Sequence, residues 1–332
     1  MSENLRFGLL GSGSWATAIA KMLLTNVDNL NWWVRREETK AHLEQHGRNP
    51  NYIQSISFDT TKLAVSTSMQ EVIDQSDVLI FAIPSAHLDD AIQDQKVSGV
   101  NQKLLISAIK GMVVKYDSIP ARYLHKEFQV PYDRIGLIAG PCHAEEVARE
   151  KLSYLTVACP DLEIAQTVAN SLKTRYIRVS TSEDVFGTEI AAVLKNIYAI
   201  AAGIALGLGY GDNFLSVLIS NASQEMKAFL AAVRELDRDV KKSPYLGDLL
   251  VTAYSPHSRN RNLGMMIGKG YSVKGAIMEM SMVAEGYNGA EGIFEMNKRF
   301  KVQLPIADAV YRILHERMSP VIEMRLLIEE LS

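Results

Sequence analysis

Short runs of uniformly apolar residues recur through the first half of the chain, separated by polar or amphipathic stretches long enough for helices. Runs that are apolar throughout are typical of strands covered by helices on both faces of a parallel sheet. The runs that predict strands are residues 5–10, 29–34, 78–83, 103–109 and 134–140, with 152–159 and 174–180 extending the series. This alternation predicts an α/β domain built on a doubly wound sheet.

The pattern changes after residue 185, where long helical periods replace the strand-like runs. The segments with helical periodicity include 188–206, 214–239, 244–252, 258–268, 272–279 and 305–317. A chain of 332 residues is long enough for about two domains. We therefore expect an α/β domain over residues 1–185, followed by an all-helical carboxy-terminal domain over residues 186–332.

A glycine-rich turn, Gly11-Ser12-Gly13-Ser14-Trp15-Ala16, follows the first predicted strand and opens a predicted helix. It fits the G-x-G-x-x-G/A fingerprint, in which Gly11 permits the tight turn and Gly13 lets the backbone approach a pyrophosphate. The helix N-terminus adds N–H groups and a partial positive charge. A glycine turn alone is weak evidence, but the further strand–helix alternations favour a Rossmann-like dinucleotide-binding domain.

Two arginines follow the second predicted strand, near the position where an NAD-binding domain carries Asp or Glu to bind the ribose. The guanidinium groups of Arg35 and Arg36 suit a 2′-phosphate, which they can bind through bidentate, charge-assisted hydrogen bonds. NADP(H) is therefore the favoured cofactor, with NAD(H) still usable. The alternative is that both arginines begin a solvated helix and pair with Glu37 or Glu38.

The composition limits the classes of partner. Lys and Arg number 35 against 38 Asp and Glu, so a net charge of −3 gives no reason to expect nucleic acid or an anionic membrane. Two cysteines, Cys142 and Cys159, are too few for a disulfide scaffold and favour a reducing compartment. No secretory signal is evident, and Lys195 interrupts the most apolar stretch (190–208). We expect a buried helix there, no membrane insertion, and a cytoplasmic protein.

Seven segments, taken together, carry a specific resemblance to a known family. They are GSGSWATAIA (11–20), AIPS (82–85), AIKG (108–111), AGPCHAEEV (139–147), EIAAVLKNIYAIAAG (189–203), GDLLVTAYSPHSRNRNLG (247–264) and VAEG (283–286). In these segments the chain resembles the bacterial NAD(P)-dependent glycerol-3-phosphate dehydrogenases. The resemblance implies reversible reduction of dihydroxyacetone phosphate, a phosphorylated triose, to sn-glycerol 3-phosphate, feeding phospholipid synthesis.

The resemblance also implies roles for individual residues. The family's substrate and catalytic positions fall on Lys110, Lys195, Asp248, Ser258, Arg259 and Asn260, with a backbone contact at Gly140. Its cofactor positions fall on Ser14, Trp15, Arg35, Lys110, Ala144, Arg259, Val283 and Glu285, to which the fingerprint and the arginine pair add Gly11, Gly13 and Arg36. The chain departs from the family at Cys142 and at Ala253-Tyr254.

Ketone reduction needs an acid within hydrogen-bond reach of the carbonyl oxygen, and Lys195 is our candidate. Small residues on its side of the helix leave room for a substrate: Thr188, Ala191, Ala192 and Ala199. Burial and a second cation, Lys110, would lower the pKa of its ammonium group, and Asp248 could orient it or hold a substrate hydroxyl. From the residue pattern alone, the alternative is a lysine that snorkels out of its helix.

Three further features combine possible ligand contacts with ordinary structural explanations. Ser258, Arg259 and Asn260 begin a predicted helix, which suits a phosphate site or a plain capping sequence with an exposed arginine. Lys110 ends a predicted strand, where ligands bind in this architecture, although such Lys-Gly pairs also form turns. Glu285 could contact the nicotinamide amide or lie solvated at a helix end.

Other patterns favour structure over chemistry. His42 and His46 lack a third metal ligand, and Cys142 is better explained as a buried cysteine than as a nucleophile. We expect the four glycines Gly203, Gly207, Gly209 and Gly211 to end a helix and form its turn. A homodimer would suit the long apolar helices, but burial inside one chain explains them equally well.

Two other functions compete with glycerol-3-phosphate dehydrogenase activity. One is a related two-domain dehydrogenase acting on a 3-hydroxy acid or ketopantoate, which would not need Arg259 with Ser258 and Asn260. The other is a regulatory protein that senses NADP(H) without chemistry, in which Lys195 and Asp248 have no role.

Overall fold

The computed structural model describes residues 5–116, 118–280 and 282–332, which form two compact units. The first unit comprises the residues up to Ile109 together with Pro120–Phe186. The second comprises Lys110–Ile119 and Gly187–Ser332. The short segment 110–119 therefore packs with the second unit, although it lies within the range predicted for the first domain. The division of the chain into two domains at residue 185 stays a prediction.

An eight-stranded sheet forms the centre of the first unit, with the strand order β3-β2-β1-β4-β5-β6-β7-β8. The strands are β1 (Phe7–Leu10), β2 (Leu30–Trp33), β3 (Leu63–Ser66), β4 (Val78–Phe81), β5 (Leu104–Ser107), β6 (Ile135–Ala139), β7 (Ser153–Ala158) and β8 (Ile177–Ser182). All neighbouring strands pair in parallel except β6 and β7. The predicted α/β class with a Rossmann-like, doubly wound sheet is confirmed.

Two features of the sheet correct the expectation from the sequence. Strand β3 was absent from the predicted series, because only Val65 of its four residues is buried and the run is too short to register as apolar. Strand β7 runs antiparallel to β6, whereas the apolar runs predicted a parallel sheet. A parallel crossover usually needs a full helix, and the helix between these strands, Ala144–Ala148, has only five residues.

Seven helices belong to the first unit: α1 (Ser14–Leu23), α2 (Glu37–His46), α3 (Met69–Asp74), α4 (Ser85–Gln95), α5 (Pro120–Phe128), α6 (Ala144–Ala148) and α7 (Leu162–Leu172). Helix α1 buries one apolar face, including Ile19 and Met22, in the main core beside the sheet. That packing fixes the glycine turn at its N-terminus, because the turn connects the buried strand β1 directly to the buried helix.

Within the described residues that follow β8, the regular elements are helices, as the periodicity predicted. They are α8 (Val185–Gly207), α9 (Asp212–Val233), α10 (Asp248–Tyr254), α11 (Arg259–Gly268), α12 (Val273–Glu279), α13 (Gly286–Phe300), α14 (Pro305–Leu314) and α15 (Pro320–Glu330). Helix α9 ends at Val233, six residues before the predicted end. The range 244–252 divides into a single π-helical turn, Ser243–Gly247, and helix α10. Helices α13 and α15 were not among the predicted segments.

Backbone-to-backbone contact between α8 and α11 revises the interpretation of two glycines. Gly203 lies inside α8 and Gly207 is its last residue, and both face the backbone of α11. Gly264 and Gly268 of α11 face α8 in return. A Cβ atom on any of the four would lie less than 3.0 Å from backbone atoms of the other helix. These glycines form a helix-packing seam, whereas Gly209, with a φ of +88°, and Gly211, which precedes α9, lie in the turn as expected.

Helix α8 is long and apolar enough to cross a membrane by composition alone. However, 89% of its most apolar stretch is buried inside the protein. This agrees with the expectation of a buried core helix around Lys195.

Candidate functional site

The glycine turn of the first unit has the geometry that its sequence predicted. Gly11 has a φ of +122°, and a Cβ atom there would lie 2.5 Å from the carbonyl oxygen of Ala82 at the end of β4. Gly13 immediately precedes α1, and a Cβ atom on it would meet no atom within 4 Å. No side chain caps the N-terminus of α1 at this residue. The turn therefore offers backbone N–H groups beside open space, which suits a pyrophosphate.

Two buried side chains that no sequence motif indicates hold this turn in place. The indole of Trp32 donates a hydrogen bond to the Gly11 carbonyl at 2.7 Å. The amide of Asn49 donates to the Ser12 carbonyl and to the Thr17 hydroxyl, both at 2.9 Å. Neither residue belongs to the G-x-G-x-x-A pattern. Only the tertiary structure brings them to the turn.

Arg35 and Arg36 lie just beyond β2 and are exposed. Within the described parts of the chain, neither guanidinium group forms an ion pair with a carboxylate. Glu37 instead accepts a hydrogen bond from Thr67 at 3.0 Å and lies 3.6 Å from the Lys40 ammonium. Arg36 does immediately precede the exposed start of α2, as the alternative expected, but the described residues show no ion pair of either arginine with Glu37 or Glu38.

The other ligand positions suggested for the first unit lie at strand and helix ends. Ser14 and Trp15 are the first residues of α1, and Trp15 packs against the main core. Gly140 follows β6 with a φ of +112°, and a Cβ atom there would lie 2.9 Å from the Tyr154 carbonyl. Ala144 is the buried first residue of α6. Their positions agree with a ligand site at strand ends.

A buried cluster of one carboxylate and two ammonium groups lies in the second unit. The Lys195 ammonium, on α8, donates to Asp248 Oδ1 at 2.5 Å. The Lys110 ammonium lies 3.8 Å from the other oxygen of the same carboxylate. The Lys195 and Asp248 side chains are 4% and 1% exposed, and that of Lys110 is 19% exposed. The snorkelling alternative for Lys195 is excluded, because its ammonium group is buried.

Burial lowers the pKa of Lys195 to about 7. Desolvation is the main cause, and the attraction of Asp248 opposes it while the positive charge of Lys110 adds to it. An ammonium group with this pKa exchanges its proton readily at neutral pH. The cluster can therefore supply or accept one proton in a site that excludes most water.

A chain of amide hydrogen bonds connects the segment carrying Lys110 to three helices. Asn196, next to Lys195 on α8, donates to the Lys110 carbonyl at 2.7 Å. Its oxygen accepts from the Asn260 amide at 2.9 Å, and the Asn260 oxygen accepts from the Gly286 N–H of α13 at 2.9 Å. Asn196 was not predicted, although its position beside Lys195 in a polar interruption of an apolar helix was a usable signal.

The start of α11 combines capping with an exposed cation. Ser258 is the N-cap of this helix, and its hydroxyl oxygen accepts from the Arg261 N–H. Arg259 is exposed and donates to the Val283 carbonyl at 3.4 Å. Glu285 is the residue before α13, two positions beyond Val283. The capping interpretation is thus realised at Ser258, and the Arg259 guanidinium stands at a helix N-terminus, where a phosphate would be stabilised.

For His42 and Cys142 the sequence favoured a structural role over a chemical one. His42 Nδ1 lies 2.8 Å from the Arg48 carbonyl oxygen, and the described residues contain no group of three or more potential metal ligands. The side chains of Cys142 and Cys159 are both buried.

Comparison with known proteins agrees with this arrangement. Residues 6–165 match the family model of the NAD-dependent glycerol-3-phosphate dehydrogenase N-terminus, and residues 184–324 match that of the C-terminus. The chain is 33% identical to "Glycerol-3-phosphate dehydrogenase [NAD(P)+]" of Chlorobium limicola, over 94% of each chain. It is 34% identical to the protein of that name from Limosilactobacillus reuteri, over 94% of this chain and 93% of the relative.

A solved structure shares the whole architecture. The crystal structure of glycerol-3-phosphate dehydrogenase from Coxiella burnetii superposes with a TM-score of 0.89 at 25% identity, covering 98% of this chain and 99% of the other. Both family models and the relatives span nearly the full length of the sequence. The chain therefore belongs to the NAD-dependent glycerol-3-phosphate dehydrogenase family.

Proposed function

We propose that this protein catalyses the reversible, NAD(P)H-dependent reduction of dihydroxyacetone phosphate to sn-glycerol 3-phosphate, a precursor of phospholipids. It is an oxidoreductase of the family to which its two matching regions assign it. The observation that carries the proposal for the site is the buried Lys110–Asp248–Lys195 cluster. A protein that only sensed the cofactor would have no use for a buried ammonium group with a pKa near neutrality.

Lys195 is proposed as the general acid of the reduction and the general base of the reverse reaction. A bound nicotinamide supplies the hydride. The Lys195 ammonium donates its proton to the carbonyl oxygen of the ketone as negative charge develops there. Asp248 holds the ammonium in position through Oδ1, and Lys110 lowers the pKa of Lys195 by its own positive charge. As a member of the same cluster, the Lys110 ammonium is also placed to stabilise an oxyanion.

The start of α11 is proposed to hold the substrate phosphate. Arg259 offers a planar guanidinium that fits a phosphate, and the N-terminus of α11 adds a partial positive charge. Asn260 is held by Asn196 and Gly286, so it keeps one orientation next to this position. Ketopantoate carries a carboxylate and no phosphate, so it would offer these residues a smaller anion with two oxygens instead of three.

The proposed cofactor is NADP(H), with NAD(H) as a usable second. The glycine turn fits a pyrophosphate, because Gly13 borders open space and the N-terminus of α1 has no side-chain cap. Arg35 and Arg36 follow β2, the strand after which dinucleotide-binding domains place their ribose-binding residue, and neither has a carboxylate partner among the described residues, which favours an added 2′-phosphate. A cytoplasmic location and a homodimer stay predictions.

Replacement of Lys195 by Met tests the proposed acid. The rate of NADPH oxidation with dihydroxyacetone phosphate should fall by about a thousandfold, within the range for loss of a general acid. The dissociation constant for NADPH, measured by calorimetry, should stay within twofold of the wild-type value. Lys227→Met, at an exposed position of α9, is the matched control. Near-normal turnover by Lys195→Met would refute the role of Lys195 as the acid. If the wild-type enzyme reduced ketopantoate and not dihydroxyacetone phosphate, the proposed substrate would be refuted.

Replacement of Arg35 and Arg36 by Gln, singly, tests the cofactor preference. The value of kcat/KM for NADPH should fall by roughly tenfold, because one charge-assisted contact to the 2′-phosphate is lost. The value for NADH should change less than twofold. Arg48→Gln provides a control for loss of a nearby exposed charge. Equal losses for NADPH and NADH in the arginine variants would contradict the preference.

A further inference from the structure

Asn49 lies in the connection between α2 and β3 and is completely buried. A buried amide is costly unless its two donors and its acceptor oxygen are satisfied. The Asn49 side chain meets this requirement in full. Its oxygen accepts from the N–H groups of Asn51 and Tyr52 at 3.0 and 3.2 Å, and its nitrogen donates both of its hydrogens.

Both of those donated hydrogen bonds go to the glycine turn or to its support. One reaches the Ser12 carbonyl and the other reaches the Thr17 hydroxyl. Thr17 in turn donates to the Gly13 carbonyl at 3.0 Å. Two successive carbonyl groups of the turn are thus held from the protein side by one fully buried pair of side chains.

This arrangement fixes the direction of a backbone N–H group. In a planar trans peptide the carbonyl and the N–H of the next residue point in opposite directions. Because the Ser12 carbonyl points towards the buried Asn49 amide, the Gly13 N–H points away from it. Gly13 also has open space on its Cβ side, because a Cβ atom built there would meet no atom within 4 Å.

We propose that Asn49 is a positioning residue for cofactor binding, which holds the Ser12–Gly13 peptide so that its N–H addresses the pyrophosphate. The proposal rests on the proposed use of a dinucleotide cofactor, but not on the identity of the ketone. Asn is suited to this position because it has two donors. An Asp of the same size would place a carboxylate oxygen against the Ser12 carbonyl oxygen.

The test compares Asn49→Asp with Asn51→Asp, which introduces the same charge at an exposed residue two positions along the chain. For Asn49→Asp, the dissociation constant of NADPH and its KM should rise at least about tenfold, equivalent to about 1.4 kcal/mol. Both kcat and the KM for dihydroxyacetone phosphate should stay within twofold. Asn51→Asp should bind NADPH like the wild type.

Two variants of Thr17 cover the case in which Asn49→Asp fails to fold. Thr17→Val removes the second support of the turn and should raise the NADPH dissociation constant several-fold, while Thr17→Ser keeps the hydroxyl and should restore it. If Asn49→Asp folds and binds NADPH within twofold of the wild-type affinity, the proposal is overturned. If it does not fold, the same result for Thr17→Val overturns the proposal. An equal loss of NADPH affinity in Asn51→Asp and Asn49→Asp would also overturn it. Because binding is measured without substrate, a wild type that binds NADPH but does not reduce dihydroxyacetone phosphate would refute the proposed function alone.

Discussion

The glycine seam between α8 and α11 makes a quantitative prediction about stability. A methyl group on Gly264 would lie 2.9 Å from both the Ile200 carbonyl carbon and the Ile204 nitrogen, and closer still to the Ile200 carbonyl oxygen. Ordinary contacts of a Cβ atom begin at 3.4 Å. All three obstructing atoms belong to the backbone of α8, so no side chain can rotate away. Gly264→Ala must therefore move the two helices apart.

The cost of Gly264→Ala follows from two opposing contributions. Overpacking a close contact costs about 1–3 kcal/mol, and three backbone conflicts favour the upper end. Ala gains about 1 kcal/mol over Gly in helix propensity. The net destabilisation is about 2 kcal/mol, which corresponds to a fall of roughly 4–8 °C in the unfolding temperature of a unit of this size.

Circular dichroism during heating measures this fall, with Gly275→Ala as the matched control. Gly275 also lies in a helix, α12, but the atom nearest to its added methyl is the hydroxyl oxygen of the N-cap Ser272 at 3.0 Å, and no backbone atom of another helix lies within 4 Å. The control should unfold at the wild-type temperature or slightly above it. Gly264→Ala should also raise the KM for dihydroxyacetone phosphate, because α11 begins with Arg259 and Asn260. If Gly264→Ala and Gly275→Ala unfolded at the same temperature, the seam would not be a rigid contact.

Three further predictions concern charged groups. The Asp248 carboxylate raises the pKa of Lys195, so Asp248→Asn should move the decline of the reduction rate with rising pH to values below the wild-type pKa of about 7, and an unmoved pH profile would contradict Lys195 as the acid. Burial raises the pKa of Glu225 to about 8 although its carboxylate accepts from the Ile306 and Ala307 N–H groups, so the folded protein binds more protons than the unfolded chain between about pH 4.5 and 8. The free energy of unfolding should therefore fall with rising pH in that window, by on the order of a few kcal/mol, and a Glu225→Gln variant with the same slope would refute this assignment. Arg259→Lys should raise the KM for dihydroxyacetone phosphate about tenfold, well beyond any change in the KM for NADPH, because Lys loses the planar fork. Arg317→Lys, at an exposed position, should change neither constant.

The parts of the fold that were predictable from the sequence are those with local causes. The glycine turn was recognisable because each of its residues meets a local requirement: Gly11 a positive φ and Gly13 an open side. The strands buried on both faces were recognisable because nearly all of their residues are apolar, with Asn31 and Ser107 as exceptions. Strand β3 was missed because one buried residue in four leaves no pattern.

The parts that were not predictable depend on contacts between distant residues. The direction of β7 relative to β6 depends on how the chain crosses between them, and the apolar pattern of a strand does not encode its direction. Asn49 reaches the glycine turn from 37 residues away, so its role has no local signature. Lys195 illustrates the intermediate case. Its place in an apolar helix was visible, but only the resemblance to a family separated a buried ammonium group from a snorkelling one.

Because residues 110–119 pack with the second unit, the two units do not correspond to two consecutive stretches of sequence. The second unit contains this segment, although its sequence lies between two parts of the first unit. In the segment, Lys110 lies beside Asp248 and Met112 packs against Gly292. A chimera joined at residue 186 would inherit Lys195 and Asp248 from one parent and Lys110 from the other. Recombination between relatives should therefore succeed most often when the donor of the helices also donates residues 110–119.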